Sequence, residues 1–91
     1  MERWRIICAG TVQHVGFRYT AYYLARSMEL TGWVDNLEDG RVLLEVQGDR
    51  AMLRRFVLAL KNRPHIRIAH MEIREIEPKP EENRFRVLGY S

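Results

Sequence analysis

The sequence predicts an α+β sandwich in the order β-α-β-β-α-β: an antiparallel sheet of four to five strands with two helices on one face. Three observations carry that prediction. Two stretches place apolar residues at helical spacing, and each follows a strand-like run. Between them lie two alternating segments split by Asp39-Gly40, a hairpin signal because Gly supplies the positive φ of a tight turn. Finally, either helical stripe alone would face water, whereas one apolar sheet face buries both.

The elements follow in order. Residues 3–9, with Trp4, Ile6 and Ile7, read as a first strand, and residues 10–16 as a loop. Phe17, Ala21, Leu24, Ala25 and Met28 make one stripe of a helix over residues 17–30. Residues 31–37 and 41–47 are two strands, with Val42, Leu44 and Val46 turned to one side. Asp49 is a good N-cap for a second helix through about residue 62. Met52, Leu53, Phe56, Val57 and Leu60 form its stripe, and Pro64 stands just after its end. Ala69, Met71 and Ile73 alternate with His70, Glu72 and Arg74, a half-buried fourth strand. Residues 77–83 are polar and proline-bearing, hence a loop, and residues 84–88 are a short last strand with Phe85 and Val87 inward. This is the split βαβ, or ferredoxin-like, order, and it hosts many unrelated functions.

The chain has 91 residues, 46% hydrophobic and 30% charged, which predicts one folded domain over residues 1–91. No apolar run approaches the roughly 20 residues that span a bilayer. Residues 1–5 lack the apolar core of a signal peptide, so a cytoplasmic location is expected, away from membranes. Cys8 is the sole cysteine and lies in an apolar run, where a thiol behaves as a small inert hydrophobe. The net charge of +3 is mild and scattered; it favours small anions and is compatible with weak nucleic-acid binding. One cysteine, with no closely spaced histidine pair, gives no zinc pattern.

The segment Gly10-Thr11-Val12-Gln13-His14-Val15-Gly16-Phe17-Arg18 runs from a strand end into a helix start. The first N–H groups of a helix lack internal partners, and the helix dipole places partial positive charge there, so such a place can hold an anion. Gly16 lets backbone approach a ligand, and Arg18 adds a fork of donors that matches two phosphate oxygens. An arginine in the first turn opposes the dipole by a few tenths to about 1 kcal/mol, which a bound anion would offset. The plainer alternative leaves Gly10 and Gly16 as turn glycines and Arg18 as a solvated surface residue. Asn36, at the end of a strand before the hairpin, is open to a similar pair of readings: turn geometry, or a neutral amide facing the same site.

The two segments together resemble the acylphosphatase family. Its first motif, G-x-V-Q-G-V-x-F-R, is matched at Gly10, Val12, Gln13, Val15, Phe17 and Arg18. Its second, G-x-V-x-N, is matched at Gly32, Val34 and Asn36, followed by a family-like D-G-x-V turn at Asp39, Gly40 and Val42. The resemblance implies hydrolysis of the carboxyl–phosphate anhydride bond of small-molecule acyl phosphates, with inorganic phosphate as product. It implies a phosphate-binding loop made by the N–H groups of Gln13, His14, Val15, Gly16, Phe17 and Arg18. Arg18 would bind the same phosphoryl group and Asn36 would hold the attacking water, making these two the catalytic residues. No metal, no cofactor and no nucleic-acid partner is implied, and a monomer is expected. In some family members the terminal carboxylate, here that of Ser91, pairs with the active-site arginine.

His14 stands where the family has Gly. If that position needs φ > 0, a side chain there costs on the order of 1–2 kcal/mol, although His tolerates the region better than most. The imidazole either points outward and leaves the N–H groups clear, or crowds the loop. The second outcome would make the chain a catalytically impaired anion-binding domain. An RNA-binding module with the same element order is the other alternative. Against it, residues 41–47 carry no aromatic residue to stack on bases.

Overall fold

Alternation along the strands decides which face of the sheet is covered. In the computed structural model, which describes residues 1–89, β1 (Glu2–Thr11) buries Ile6 and Cys8 completely and exposes Arg5 between Trp4 and Ile6. Its neighbour β3 (Val42–Gly48) sets Val42, Leu44 and Val46 opposite Cys8, Ile6 and Trp4 in antiparallel register. Two helices cover this face. Phe17, Ala21, Leu24 and Ala25 of α1 (Phe17–Ser27) join Leu53, Phe56, Val57 and Leu60 of α2 (Arg50–Lys61) and the strand residues in one core. Neither helix is long and apolar enough to cross a membrane.

With β2 (Thr31–Asn36), β4 (Arg67–Ile76) and β5 (Phe85–Val87), the sheet order is β4-β1-β3-β2-β5. Four strands are antiparallel, as expected. The fifth is not: β5 pairs parallel with β2, Gly32 facing Phe85 and Val34 facing Val87, so the sheet is mixed. The connection from β4 to β5 must cross from one edge of the sheet to the other, four strand spacings or about 19 Å. Polar groups hold it over the face opposite the helices. The Gln47 amide donates to the Lys79 carbonyl (2.9 Å) and accepts the Lys79 N–H (2.6 Å). Arg3, wholly buried, bonds Glu45 at 2.8 Å and Glu82 at 2.8 Å. Burial opposes the charge on Arg3, but the hydrogen bonds it donates to Glu82 and Glu45 outweigh that and push its pKa up.

Two expectations need correction. The first helix stops at Ser27, not at residue 30. Glu29 turns left-handed (φ 57°), and Leu30 N–H bonds the Ala25 carbonyl while Glu29 N–H bonds that of Arg26. That pair of bonds is a Schellman closure, here made without glycine. Asp49 is the N-cap of α2, as expected, in extended conformation, but the side-chain cap hydrogen bond is absent. Second, the inner face of β4 is set by a register shift opposite Ala9 and Gly10. Ile68 and Met71 pack on the core, Ala69 is exposed, and Ile73 is 46% exposed because it lies on an edge strand. Gly10 is forced at this bulge, since a Cβ there would collide with the Arg67 carbonyl.

Candidate active site

Beyond the bulge the chain turns from β1 into α1, and two residues set its path. His14 (φ 62°) and Gly16 (φ 75°) are both left-handed, with Val15 between them. Such alternation turns nearby N–H groups toward a common point. Val12, fully buried, anchors the near end of the loop in the core, and Phe17, 2% exposed, anchors the far end. Gly16 is the N-cap of α1 and accepts the Thr20 N–H at 2.9 Å. Among the described residues the dipole's positive end therefore has neither a capping side chain nor an acidic residue in its own first turn.

Arg18 is 8% exposed. Its Nη1 donates to the Leu88 carbonyl at 2.6 Å, and the Leu88 N–H bonds the Val34 carbonyl at 2.8 Å. The segment after β5 thus holds the guanidinium against β2. The expectation about the Ser91 carboxylate falls outside the described residues.

Asn36 closes β2 opposite Val42. Its Oδ1 is buried and has no hydrogen-bond partner among the described residues. The hairpin beyond it is braced by Asp39, whose carboxylate accepts from Arg41 N–H (3.1 Å) and Arg41 Nε (2.9 Å). Those bonds hold the Asp39 carboxyl below the usual carboxylate range.

These parts meet in a cleft of about 210 Å3 lined by Val12, His14, Gly16, Phe17, Arg18, Tyr19 and Asn36. That is below the roughly 300–1,000 Å3 of sites that enclose drug-sized ligands, and on the scale of a small anion. A hollow of about 890 Å3 lies between the end of α1 and β5, near Tyr22, Arg26 and Arg84, away from Asn36 and the loop. The smaller cleft is the better candidate because unlike polar groups from separate elements converge there.

Of the residues singled out by sequence, His14, Gly16, Phe17, Arg18 and Asn36 line the cleft. The imidazole of His14 is exposed at its rim. Two others do not line it. Val15 packs toward the core, and the Gln13 side chain turns to the hairpin, where its Nε2 donates to the carbonyls of Leu37 (2.8 Å) and Arg41 (2.9 Å). Tyr19 is a lining residue outside both motifs, and Val12 is a motif position that also lines the cleft. The Leu88 carbonyl is invisible to pattern reading, because a backbone group leaves no mark on residue type. Asp35 is half-buried beside Gly89: a Cβ on that glycine would stand 2.6 Å from Asp35 Oδ1 and 3.2 Å from Arg18 Nη1. Cys8, as expected, is buried, and desolvation pushes its thiol up to about 12, so it is inert at neutral pH.

Fold and cleft define a class: a small ferredoxin-like protein in which a strand-to-helix loop, an arginine and a carboxamide surround one anion-sized hollow. The family model described as acylphosphatase matches residues 4–87. The acylphosphatase of Geobacillus kaustophilus is 37% identical over 89 residues, covering 97% of this chain and 95% of that protein. The crystal structure of acylphosphatase from Bacillus subtilis superposes with a TM-score of 0.91 at 37% identity, covering 98% of this chain and all of the other. In the T. kodakarensis HypF crystal structure, the chain matches only 12% of a longer protein, at 32% identity and a TM-score of 0.85. The chain belongs to the acylphosphatase family. Its activity is hydrolysis of the carboxyl–phosphate anhydride bond of acyl phosphates, giving a carboxylate and inorganic phosphate.

Proposed function

We propose that the 210 Å3 cleft is the catalytic centre, with Arg18 and Asn36 as its catalytic residues. One observation carries this reading: the guanidinium from α1 and the carboxamide from β2 line the same hollow as the left-handed loop ahead of the helix. The N–H groups of residues 13–18 cradle the phosphoryl oxygens, and Arg18 adds charge-assisted hydrogen bonds. The side-chain amide of Asn36, at the wall of the cleft, holds the attacking water and aims its oxygen at phosphorus. As that P–O bond forms, the bond to the acyl oxygen breaks. The carboxylate leaves, and the water's proton passes to the phosphate. Because the leaving group is already good, positioning and charge stabilisation supply what the reaction needs. The chain acts as one cytoplasmic domain and as a monomer.

Hydrolysis of benzoyl phosphate, with inorganic phosphate as competitive inhibitor, tests the roles. Arg18→Ala should weaken phosphate inhibition and lower kcat together. Asn36→Ala should cut kcat by on the order of 10²–10³ while leaving phosphate affinity nearly intact, since water aiming matters only in the transition state. An Asn36→Ala enzyme with the wild-type kcat would remove the asparagine from the mechanism.

A further inference from the structure

We propose that the side chain of Gln13 is a positioning residue that sets Asn36 against the phosphate-binding loop. The inference rests on the roles given above for the loop and for Asn36. In the sheet, β1, which feeds the loop, and β2, which carries Asn36, are not neighbours, because β3 lies between them. The ladders link them through β3, and the last shared row on the side of the loop is Val42, which faces both Cys8 and Asn36. Beyond that row β1 keeps only its β4 partner, as far as Thr11, and β2 ends at Asn36, so small rotations of either would move the water site relative to the phosphoryl site.

Gln13 bridges this gap directly. Both N–H bonds of its amide are used, one to the Leu37 carbonyl at 2.8 Å and one to the Arg41 carbonyl at 2.9 Å. Those two residues form the neck of the hairpin: Leu37 N–H bonds the Arg41 carbonyl at 2.8 Å, and Gly40 N–H bonds the Leu37 carbonyl at 3.2 Å. Leu37 is the residue next to Asn36. One amide thus ties the loop to the peptide that follows the asparagine. The two acceptors face one nitrogen, a demand that a carboxamide meets and a carboxylate or hydrocarbon does not. The backbone N–H of residue 13 is separate from this tie, so side-chain replacement leaves the cradle's donors in place.

The test is a kinetic cycle on the intact chain with benzoyl phosphate, alongside inhibition by inorganic phosphate and thermal melting. Gln13→Leu should lower kcat by about 10- to 100-fold, the scale of a misplaced reacting group, while phosphate inhibition changes by less than about threefold. In an Asn36→Ala background the same Gln13→Leu change should alter kcat less than about twofold, because the group it positions is gone. Gln13→Glu supplies a fold-preserving second variant. Its kcat should rise as pH falls through the titration of the new carboxyl, since the protonated form regains one donor, a profile that the wild type lacks. Additive losses in the double variant, or a flat Gln13→Glu profile, overturn the inference while leaving the water-aiming role standing. Wild-type turnover by Asn36→Ala overturns both, and so separates the two failures.

Discussion

At the scale of single residues, His14 shows how far a local rule bends at a site. It holds φ 62° on the rim of the cleft, where a Cβ-bearing residue is strained. Replacement by Gly removes that strain but adds freedom to the unfolded chain, so His14→Gly should stabilise the fold by no more than about 1 kcal/mol. Because the imidazole is exposed, phosphate inhibition should be kept or strengthened in this variant. A large loss of phosphate affinity would instead make the imidazole a ligand. Arg18 and Asn36 were legible because residue type and motif order point to them. Tyr19 was not, since nothing in a helical pattern says which exposed residue of a first turn borders a hollow. The side-chain work of Gln13 was hidden for a related reason. Its motif position suggests a loop amide, while its partners are carbonyls 24 and 28 residues away.

At the scale of elements, periodicity located both helices and all five strands, but it misplaced the end of α1. Met28 continues the stripe, so pattern alone carries the helix onward. The stop lies in the backbone, where Leu30 folds back on the Ala25 carbonyl and buries its side chain against Gly48. The closure needs a left-handed residue at position 29, and Glu occupies it. Glu29→Gly should therefore raise stability by roughly 0.5–1 kcal/mol in urea unfolding, because the φ penalty at this position outweighs the entropy that glycine adds to the unfolded state. An equal or lower midpoint would mean that the Glu29 side chain contributes contacts that compensate for its backbone. The same limit explains β4. Its alternation was read as uniform, whereas the bulge opposite Gly10 shifts the inner set from Ala69 to Ile68. A bulge leaves no signature beyond a glycine on the partner strand.

At the scale of the whole molecule, the sheet has two faces held by different physics. One is an apolar core under two helices. The other is crossed by the β4–β5 connection, which is fastened by Arg3, Glu45, Gln47, Lys79 and Glu82. This strap delivers β5 to the edge of β2 and the Leu88 carbonyl to Arg18, so the far face of the sheet bears on the cleft. Arg3 is the centre of the strap, at 0% exposure, with Glu45 only 7% exposed. Removing the cation alone leaves buried carboxylate without its partner, so Arg3→Ala should cost about 3–5 kcal/mol in denaturant unfolding. Replacing both ends with apolar residues, Arg3→Met with Glu45→Leu, takes away the desolvation burden together with the attraction. It should recover most of that loss. Both variants nevertheless loosen Glu82, so both should show weaker phosphate inhibition than the wild type even where the double variant regains stability. If catalysis instead followed stability alone, recovering fully in the double variant, the strap would be a structural fastening with no bearing on how Arg18 is held.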